Sequence, residues 1–303
     1  MPELPEVETT KRGLQKEIAG LFIRGVWTDL ATKDKRKHDT ISNPRYFAKF
    51  KKEIIGRKIL SAERRAKNIL INLSGGRTML VHLKMTGHLL YGKYIFSKKE
   101  NRWMPKDQKG PLSDPFNRFL RVVFTLSNGK ELALSDMRKF GKITLLDSKT
   151  AHDSKHLSGI GPEPLEKSFG FENFKERLAK KLNGKIKTVL LDQTVIAGIG
   201  NIYSDEILWR AGVRPERKVS AIREPELKLM FKAMKETLQK GINFGGDSMS
   251  DYRNIYGLPG KFQSEHQAYR RTGKKCRKPN CHGKIVRKVM GGRSAHYCPA
   301  HQK

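Results

Sequence analysis

Eight short segments fill residues 21–146, each rich in β-branched or aromatic residues and bounded by turn formers. They are Leu21–Thr28, Lys58–Arg65, Asn68–Leu73, Thr78–Leu83, Leu89–Phe96, Arg118–Leu126, Glu131–Ser135 and Lys142–Leu146. Runs of this length and composition read as strands. Ser74-Gly75-Gly76 and Ser127-Asn128-Gly129 read as hairpin turns, the Asn-Gly being the stronger signal. Eight strands so joined predict an antiparallel β-sandwich. Helices flank it. Over residues 3–18, Val7, Leu14 and Ile18 recur at helical spacing, and Glu3, Glu6 and Glu8 sit where the helix dipole favours anions. Residues 148–160 lack periodicity and read as an interdomain linker. Helical patterns follow over Phe171–Leu182, Thr188–Asp192, Ile202–Ala211 and Pro225–Gly241. The expected class is α+β, with domains over 2–150 and 160–260 and a third unit over 261–303. Residues 31–47 and 97–117 are polar, basic and rich in turn formers, and read as solvated loops that add to the electrostatic field.

The chain has 303 residues and a formal net charge of +32. Solubility requires far less, and the charge runs the length of the chain, so a polyanion partner is expected. No apolar run approaches the length of a membrane span. An anionic membrane surface would satisfy the charge alone, but no basic amphipathic helix is built for one. The N-terminus carries acids and no apolar signal core, and the three cysteines all lie after residue 275. A reducing cytoplasm fits that usage better than a secreted disulfide framework.

Cys276, Cys281, Cys298 and His301 follow the spacing C-x4-C-x16-C-x2-H. Two close pairs separated by a hairpin-sized gap are the pattern of one structural zinc, and three thiolates with one imidazole make an ordinary tetrahedral set. Lys284–Val289 and Arg293–Tyr297 alternate around Met290-Gly291-Gly292, as a β-hairpin does. His282 and His296 are rival ligands by position. Gly198-Ile199-Gly200-Asn201 runs straight into a helical pattern, with Asn201 as the expected N-cap. Exposed amides at a helix start form an anion site. Arg64-Arg65-Ala66-Lys67-Asn68 joins two expected strands and on pattern alone is a solvated edge. His82-Leu83-Lys84-Met85-Thr86-Gly87 and Ser135-Asp136-Met137-Arg138-Lys139-Phe140-Gly141 each put large side chains beside a glycine turn. Such side chains suit wedging into a duplex, although Met85 and Phe140 on pattern alone would more often be core.

The first residues, Met1-Pro2-Glu3-Leu4-Pro5-Glu6-Val7-Glu8, carry the reactive chemistry. Removal of Met1 would leave Pro2 as a free secondary amine. An α-amino group titrates near ~8, against roughly 10.4 for lysine, so it is a better nucleophile at neutral pH. Such an amine can form an iminium with a carbonyl-like carbon. Glu3 is placed to exchange a proton beside it. The bland alternative is that Pro2 and Pro5 merely start a helix. This N-terminus resembles that of the formamidopyrimidine-DNA glycosylases, bacterial enzymes that remove oxidised purines. So do the Gly198–Asn201 segment with Leu191-Asp192-Gln193 before it and Ala211-Gly212-Val213-Arg214-Pro215 after it, and the finger around Gly291-Gly292-Arg293. The resemblance covers nearly the whole chain, from Pro2 to His301, with gaps at 31–47 and 97–117.

The resemblance implies an N-terminal catalytic domain, a helix-two-turn-helix DNA-binding domain and a C-terminal zinc finger. The family's usual metal set is four cysteines with two residues inside each pair; here the first gap is four and the last ligand is His301. It further implies that Pro2 is the nucleophile and Glu3 its proton partner. Lys67 would contact the phosphate beside the lesion, and Arg293 would be the finger arginine on phosphates. Asn201 would meet the DNA backbone, with Lys187 as a second contact. Met85, Arg138 and Phe140 would fill the space left by the extruded nucleotide. Glu6 is either an orienting residue or a dipole-favoured surface carboxylate. The loop from Gly245 to Gln263 is glycine-rich, reads as mobile, and matches the family loop that closes over the damaged base. Gly159–Leu165 matches the interdomain segment and reads as structural.

The expected function is a bifunctional glycosylase and abasic-site lyase acting as a monomer on damaged double-stranded DNA. Two alternatives stand beside it. One is an endonuclease VIII-like glycosylase for oxidised pyrimidines, the sister branch with the same architecture. The other is a lesion-binding or zinc-finger nucleic-acid-binding protein without catalysis.

Overall fold

The computed structural model describes residues 1–30 and 40–303. The chain divides into two compact units. The first comprises residues 1–2, 6–158 and 245–261, and the second residues 3–5, 159–244 and 262–303. No helix among the described residues is long and apolar enough to cross a membrane.

In the first unit, α1 (Leu4–Ile18), which belongs to it from Glu6 onward, precedes β1 (Ile23–Thr28). Next come α2 (Pro44–Ile54), β2 (Ile59–Arg65), β3 (Asn68–Leu73) and β4 (Arg77–His82). The unit's strands continue with β5 (His88–Gly92), β6 (Tyr94–Ser97), β7 (Arg102–Pro105), β8 (Leu120–Leu126), β9 (Glu131–Ser135) and β10 (Lys142–Asp147). Two four-stranded antiparallel sheets form, in the orders β1-β8-β9-β5 and β10-β4-β3-β2. Alternation explains how they meet. Val122, Phe124, Leu132 and Leu134 join Ile69, Ile71, Met79, Val81 and Ile143 in one core, with Val7, Leu14 and Ile18 of α1. At roughly 25 cal/mol per Å² of apolar surface, this shared core is the main source of the unit's stability.

Three expectations are corrected here. Leu89–Phe96, expected as one strand, is two: β5 pairs with β9, and β6 pairs with β7 in a separate hairpin. Residues 97–117 are more than a solvated loop. The hairpin contributes Tyr94 and Trp103, and the following segment Leu112, to a second cluster with Trp27, Leu90, Leu120, Val123 and Ala133. Those are the outward-facing residues of the first sheet, so the hairpin covers its outer face. Of the expected loop 31–47, residues 31–39 lie outside the described residues, while 44–47 open α2. Asn43 is its N-cap, accepting from the Tyr46 amide at 3.0 Å, and Pro44 follows at the first helical position. Phe50 and Ile54 then enter the core.

The second unit holds α3 (Phe171–Ala179), α4 (Ile186–Leu191), α5 (Asn201–Ala211) and α6 (Glu224–Asn243), then β11 (Val286–Met290) and β12 (Arg293–Tyr297). Residues 148–160 contain no helix or strand. Phe174, Leu190, Ile199, Tyr203, Ile207, Met230, Met234, Leu238 and Phe262 form the helical core. β11 and β12 pair with Met290 opposite Arg293, so Gly291 and Gly292 form a two-residue turn. Both have positive φ, +52° and +72°, the conformation such hairpin turns demand.

Candidate functional site

In the first unit the basic groups surround a histidine. Lys67 lies in the two-residue turn between β2 and β3, where Ala66 takes a φ of +53°. Lys67 is buried, which excludes the solvated-edge alternative. Its turn is braced by Arg64, whose guanidinium donates to the Ala66 carbonyl and to Glu8 Oε2, both at 3.0 Å. Burial alone would raise the Glu8 pKa, but hydrogen bonds from Arg12 and Arg64 bring it below the ordinary carboxylate value. Thus α1 is tied to the turn that carries Lys67. His82 stands at the end of β4. Burial first, and then Lys84, Lys67 and Lys142, push its pKa down to about 3. The Lys84 amide donates to His82 Nδ1 at 3.0 Å, so the neutral ring carries its proton on Nε2. A neutral donor among three cations suits an anionic ligand. His82 also begins the motif that contains Met85.

The two wedge motifs share one anchor. Asp136 is buried and accepts from the Arg138 amide at 3.2 Å and the Gly141 amide at 2.7 Å, so it shapes the turn bearing Arg138 and Phe140. The Thr86 hydroxyl, next to Met85, donates to the same carboxylate. Phe140 is 47% exposed, Met85 is half-buried, and the Arg138 guanidinium lies 4.6 Å from the Phe140 ring centre. The core alternative for Met85 and Phe140 therefore does not hold. Both line a pocket of about 330 Å³ with Met1, Lys84, Lys139 and Lys142. Pro2, which follows Met1, is buried.

Glu6 is buried too, so it is not a surface carboxylate. Its Oε1 accepts the Asp247 amide at 2.7 Å, and its backbone carbonyl accepts the Tyr252 hydroxyl at 3.0 Å. Glu6 holds the glycine-rich loop.

In the second unit Glu3 is 2% exposed. Its carboxylate accepts from the amides of Ile202 at 2.9 Å and Tyr203 at 3.3 Å. Asn201, expected as the N-cap, is instead the first residue of α5; the N-cap is Gly200, which has no side chain to offer. Glu3 takes that role across 199 residues of sequence. A Cβ on residue 200 would come within 2.4 Å of Glu3 Oε1, so a glycine is required there. Asn201 Oδ1 is buried and finds no hydrogen-bond partner among the described residues.

Lys187 is a correction. Expected at the DNA backbone, it is 0% exposed and donates to Asp205 Oδ1 within the protein. Burial pushes its amine below the ordinary lysine range although Asp205 opposes the shift. Asp205 Oδ2 accepts from both the amide of His296, at 3.0 Å, and its ring Nδ1, at 2.9 Å. One buried carboxylate thus joins α4, α5 and β12. Arg293 stands exposed at the start of β12, beside the Gly291-Gly292 turn.

The ligand atoms of Cys276, Cys281, Cys298 and His301 all lie within 4.8 Å of one another. Cys281 Sγ and Cys298 Sγ are 3.6 Å apart, and Cys276 Sγ and His301 Nδ1 3.3 Å. A tetrahedral zinc at ~2.3 Å from sulfur separates its ligands by nearly this much, so the set fits a metal ion. His301 Nε2 lies 3.0 Å from the Trp209 carbonyl, which leaves Nδ1 to face the cysteines. His296, a rival ligand by position, is held by Asp205, and His282 is not in the cluster.

Comparisons with known proteins agree along the whole chain. Residues 1–143 match the formamidopyrimidine-DNA glycosylase N-terminal domain, and residues 160–253 match the formamidopyrimidine-DNA glycosylase H2TH domain. The formamidopyrimidine-DNA glycosylase of Pelotomaculum thermopropionicum is 41% identical over 303 residues, covering 100% of this chain and 99% of that protein. The Bacillus subtilis protein of the same name is 36% identical and covers 98% of each. The Lactococcus lactis Fpg in complex with an abasic site containing DNA has a TM-score of 0.82 at 31% identity, covering 99% of both chains. A mutant of that protein bound to a Fapy-dG containing DNA has a TM-score of 0.82 at 32% identity.

Proposed function

This chain belongs to the formamidopyrimidine-DNA glycosylase family, and from that premise we propose that it excises oxidised purines from duplex DNA and then cuts the strand at the resulting abasic site. It is a DNA glycosylase of base excision repair, and damaged duplex DNA is its partner. It works as a monomer on cytoplasmic, nucleoid DNA. Residues 2–150 carry the catalytic work, residues 160–260 the helix-two-turn-helix grip on DNA, and residues 261–303 the finger.

The net charge of +32 supplies salt-dependent affinity for phosphates of any sequence. The damaged nucleotide leaves the stack, because its anomeric carbon is unreachable there. Met85, Arg138 and Phe140 fill the gap it leaves. Lys67, Asn201 and Arg293 bind phosphates around it, and His82 adds a neutral donor beside Lys67. After Met1 is removed, the Pro2 nitrogen attacks C1′, and the glycosidic electron pair departs with the base, which takes up a proton. Glu3 takes the proton from the resulting Pro2 ammonium and passes it to O4′ as the C1′–O4′ bond opens, and the freed nitrogen lone pair completes an iminium. Loss of a C2′ proton then expels the 3′ phosphate, a β-elimination; a second, δ-elimination would release the remaining sugar. Cys276, Cys281, Cys298 and His301 would hold one structural zinc, which fixes the finger and takes no part in the chemistry.

One observation carries this reading. Glu3 is fixed by the amides that open α5, so the residue bonded to Pro2 is held beside Asn201. Borohydride trapping on an 8-oxoguanine duplex tests it. A covalent adduct is expected with the protein and none with Pro2→Gly. An adduct that survives Pro2→Gly, or cleavage as fast after the terminal nitrogen has been chemically capped, rules the mechanism out.

A further inference from the structure

The loop from Gly245 to Lys261 is held by more than Glu6. The loop closes on itself: Ser248 Oγ donates to the Tyr252 carbonyl at 2.7 Å and accepts the Gly260 amide at 2.8 Å. Its second half is bound to the sandwich. Ile255 is buried in the main core, and its carbonyl accepts the Tyr91 amide at 2.7 Å. Arg253 lies between the halves and is buried. One guanidinium nitrogen donates to the Ser250 and Tyr252 carbonyls at 3.1 and 2.9 Å. Another, Nε, donates to Asp114 Oδ2 at 3.2 Å, and the guanidinium sits 4.5 Å from the Phe116 ring centre. Asn117 Nδ2 donates to the Gly257 carbonyl at 3.2 Å, and His88 Nε2 donates to Asn117 Oδ1 at 2.9 Å. Asp114 is itself fixed, because its other oxygen accepts the Phe116 amide at 2.9 Å.

Asp114, Phe116 and Asn117 belong to residues 97–117, a stretch to which the sequence motifs assign no role. We infer that Arg253 is a positioning residue for base excision, and that Asp114, Phe116 and Asn117 form a strap setting the pose of the loop over the extruded base. The guanidinium bonds the loop's own carbonyls on one side and the strap on the other. A rigid planar group with several donors in fixed directions can do this, and an ammonium reproduces it only in part. The inference rests on the reading above, that this loop covers the damaged base. It predicts an asymmetry between the two activities. Excision of a base needs the loop in place, whereas cleavage at a preformed abasic site has no base to cover.

The experiment measures single-turnover rates of the full chain on two duplexes, one with 8-oxoguanine and one with a preformed abasic site. Arg253→Ala is expected to slow 8-oxoguanine excision on the order of 10–100-fold, the scale of a small misplacement of reacting groups. Abasic-site cleavage should stay within about twofold, which also shows that the variant folds. Arg253→Lys should recover part of the excision rate, and Asp114→Asn, which keeps an acceptor oxygen, should lose less than Arg253→Ala. Excision at the unmodified rate in Arg253→Ala overturns the inference. So does a parallel loss of both activities, which would make Arg253 a purely structural residue. If the unmodified chain acts on neither duplex, the glycosylase reading fails and this inference falls with it.

Discussion

Glu3 Oε1 accepts the backbone amide of Ile202 at 2.9 Å, so a side chain from the start of the chain completes a helix that begins at residue 201. The first turn of α5 has no capping side chain of its own, because Gly200 occupies the N-cap. The same carboxylate is the proton partner proposed for Pro2. Holding the helix start and the proposed proton transfer are separable tasks of one group.

Substitutions at Glu3 should separate those tasks. Glu3→Gln keeps an oxygen for the amides and should melt close to the unmodified protein, yet lose about 10²–10⁴-fold in excision rate with the proton donor gone. Glu3→Ala should lose that activity and also about 1 kcal/mol of stability with the cap. Thermal melting beside single-turnover excision checks both. Equal melting of the two variants would remove the capping role.

Lys187 should behave as a buried ion-pair partner. Lys187→Ala strands the Asp205 carboxylate and is expected to cost roughly 3–5 kcal/mol of unfolding free energy. Because the side chain reaches no solvent, the salt dependence of DNA binding by the folded variant should keep its slope. A phosphate contact would instead lower that slope by about one. Denaturant titration and binding at several salt concentrations give the two numbers.

His82 should make stability depend on pH. Its folded pKa lies at about 3, below the ordinary histidine value, chiefly because the fold desolvates the half-buried ring. Between pH ~6.5 and ~3 the unfolded chain therefore binds more protons at this residue, so stability is full above ~6.5 and lost as pH falls through that window. Glu8, whose folded pKa is also lowered, acts in the same direction but only below the ordinary carboxylate range. His82→Gln should flatten the stability profile between pH ~6.5 and ~4.5 and leave the steeper acid limb in place. An unchanged slope in that upper window would show that the ring is accessible to protons in the fold.

Gly283 should be necessary for the metal site. A Cβ there would lie 2.6 Å from Cys298 Sγ and 2.5 Å from Ala300 Cβ. Gly283→Ala is expected to lower zinc content from about one per chain and to weaken duplex binding, as Cys298→Ser should more completely. Elemental analysis and binding before and after chelation test this. A chain that is fully folded and binds DNA without metal would exclude a structural zinc.

Much of the fold was legible because its signals are local. β3 and β9 carry the bounds read from sequence, since a turn and a short apolar run are complete in themselves. The hairpin turn at Gly291-Gly292 and the four metal-binding positions were legible for the same reason. The helix at Pro44–Ile54 was missed although Asn43-Pro44 and the spacing of Tyr46, Phe50 and Ile54 announce it; its basic surface residues masked the apolar face. The split between β5 and β6 was not legible, because it depends on which partner each strand finds.

The sequence by itself determined the sandwich, the close set of three cysteines and one histidine that could hold a metal ion, and the order of the helices. Each is written in neighbouring residues or in a fixed spacing. Only the tertiary structure decided that Glu3 caps α5, that Lys187 faces Asp205 rather than solvent, that Asp136 anchors both wedge turns, and that residues 111–117 hold the loop at Arg253. These polar groups are buried, and a buried polar group must find a partner wherever the fold brings one. That partner is chosen by packing between distant segments, which no local pattern records.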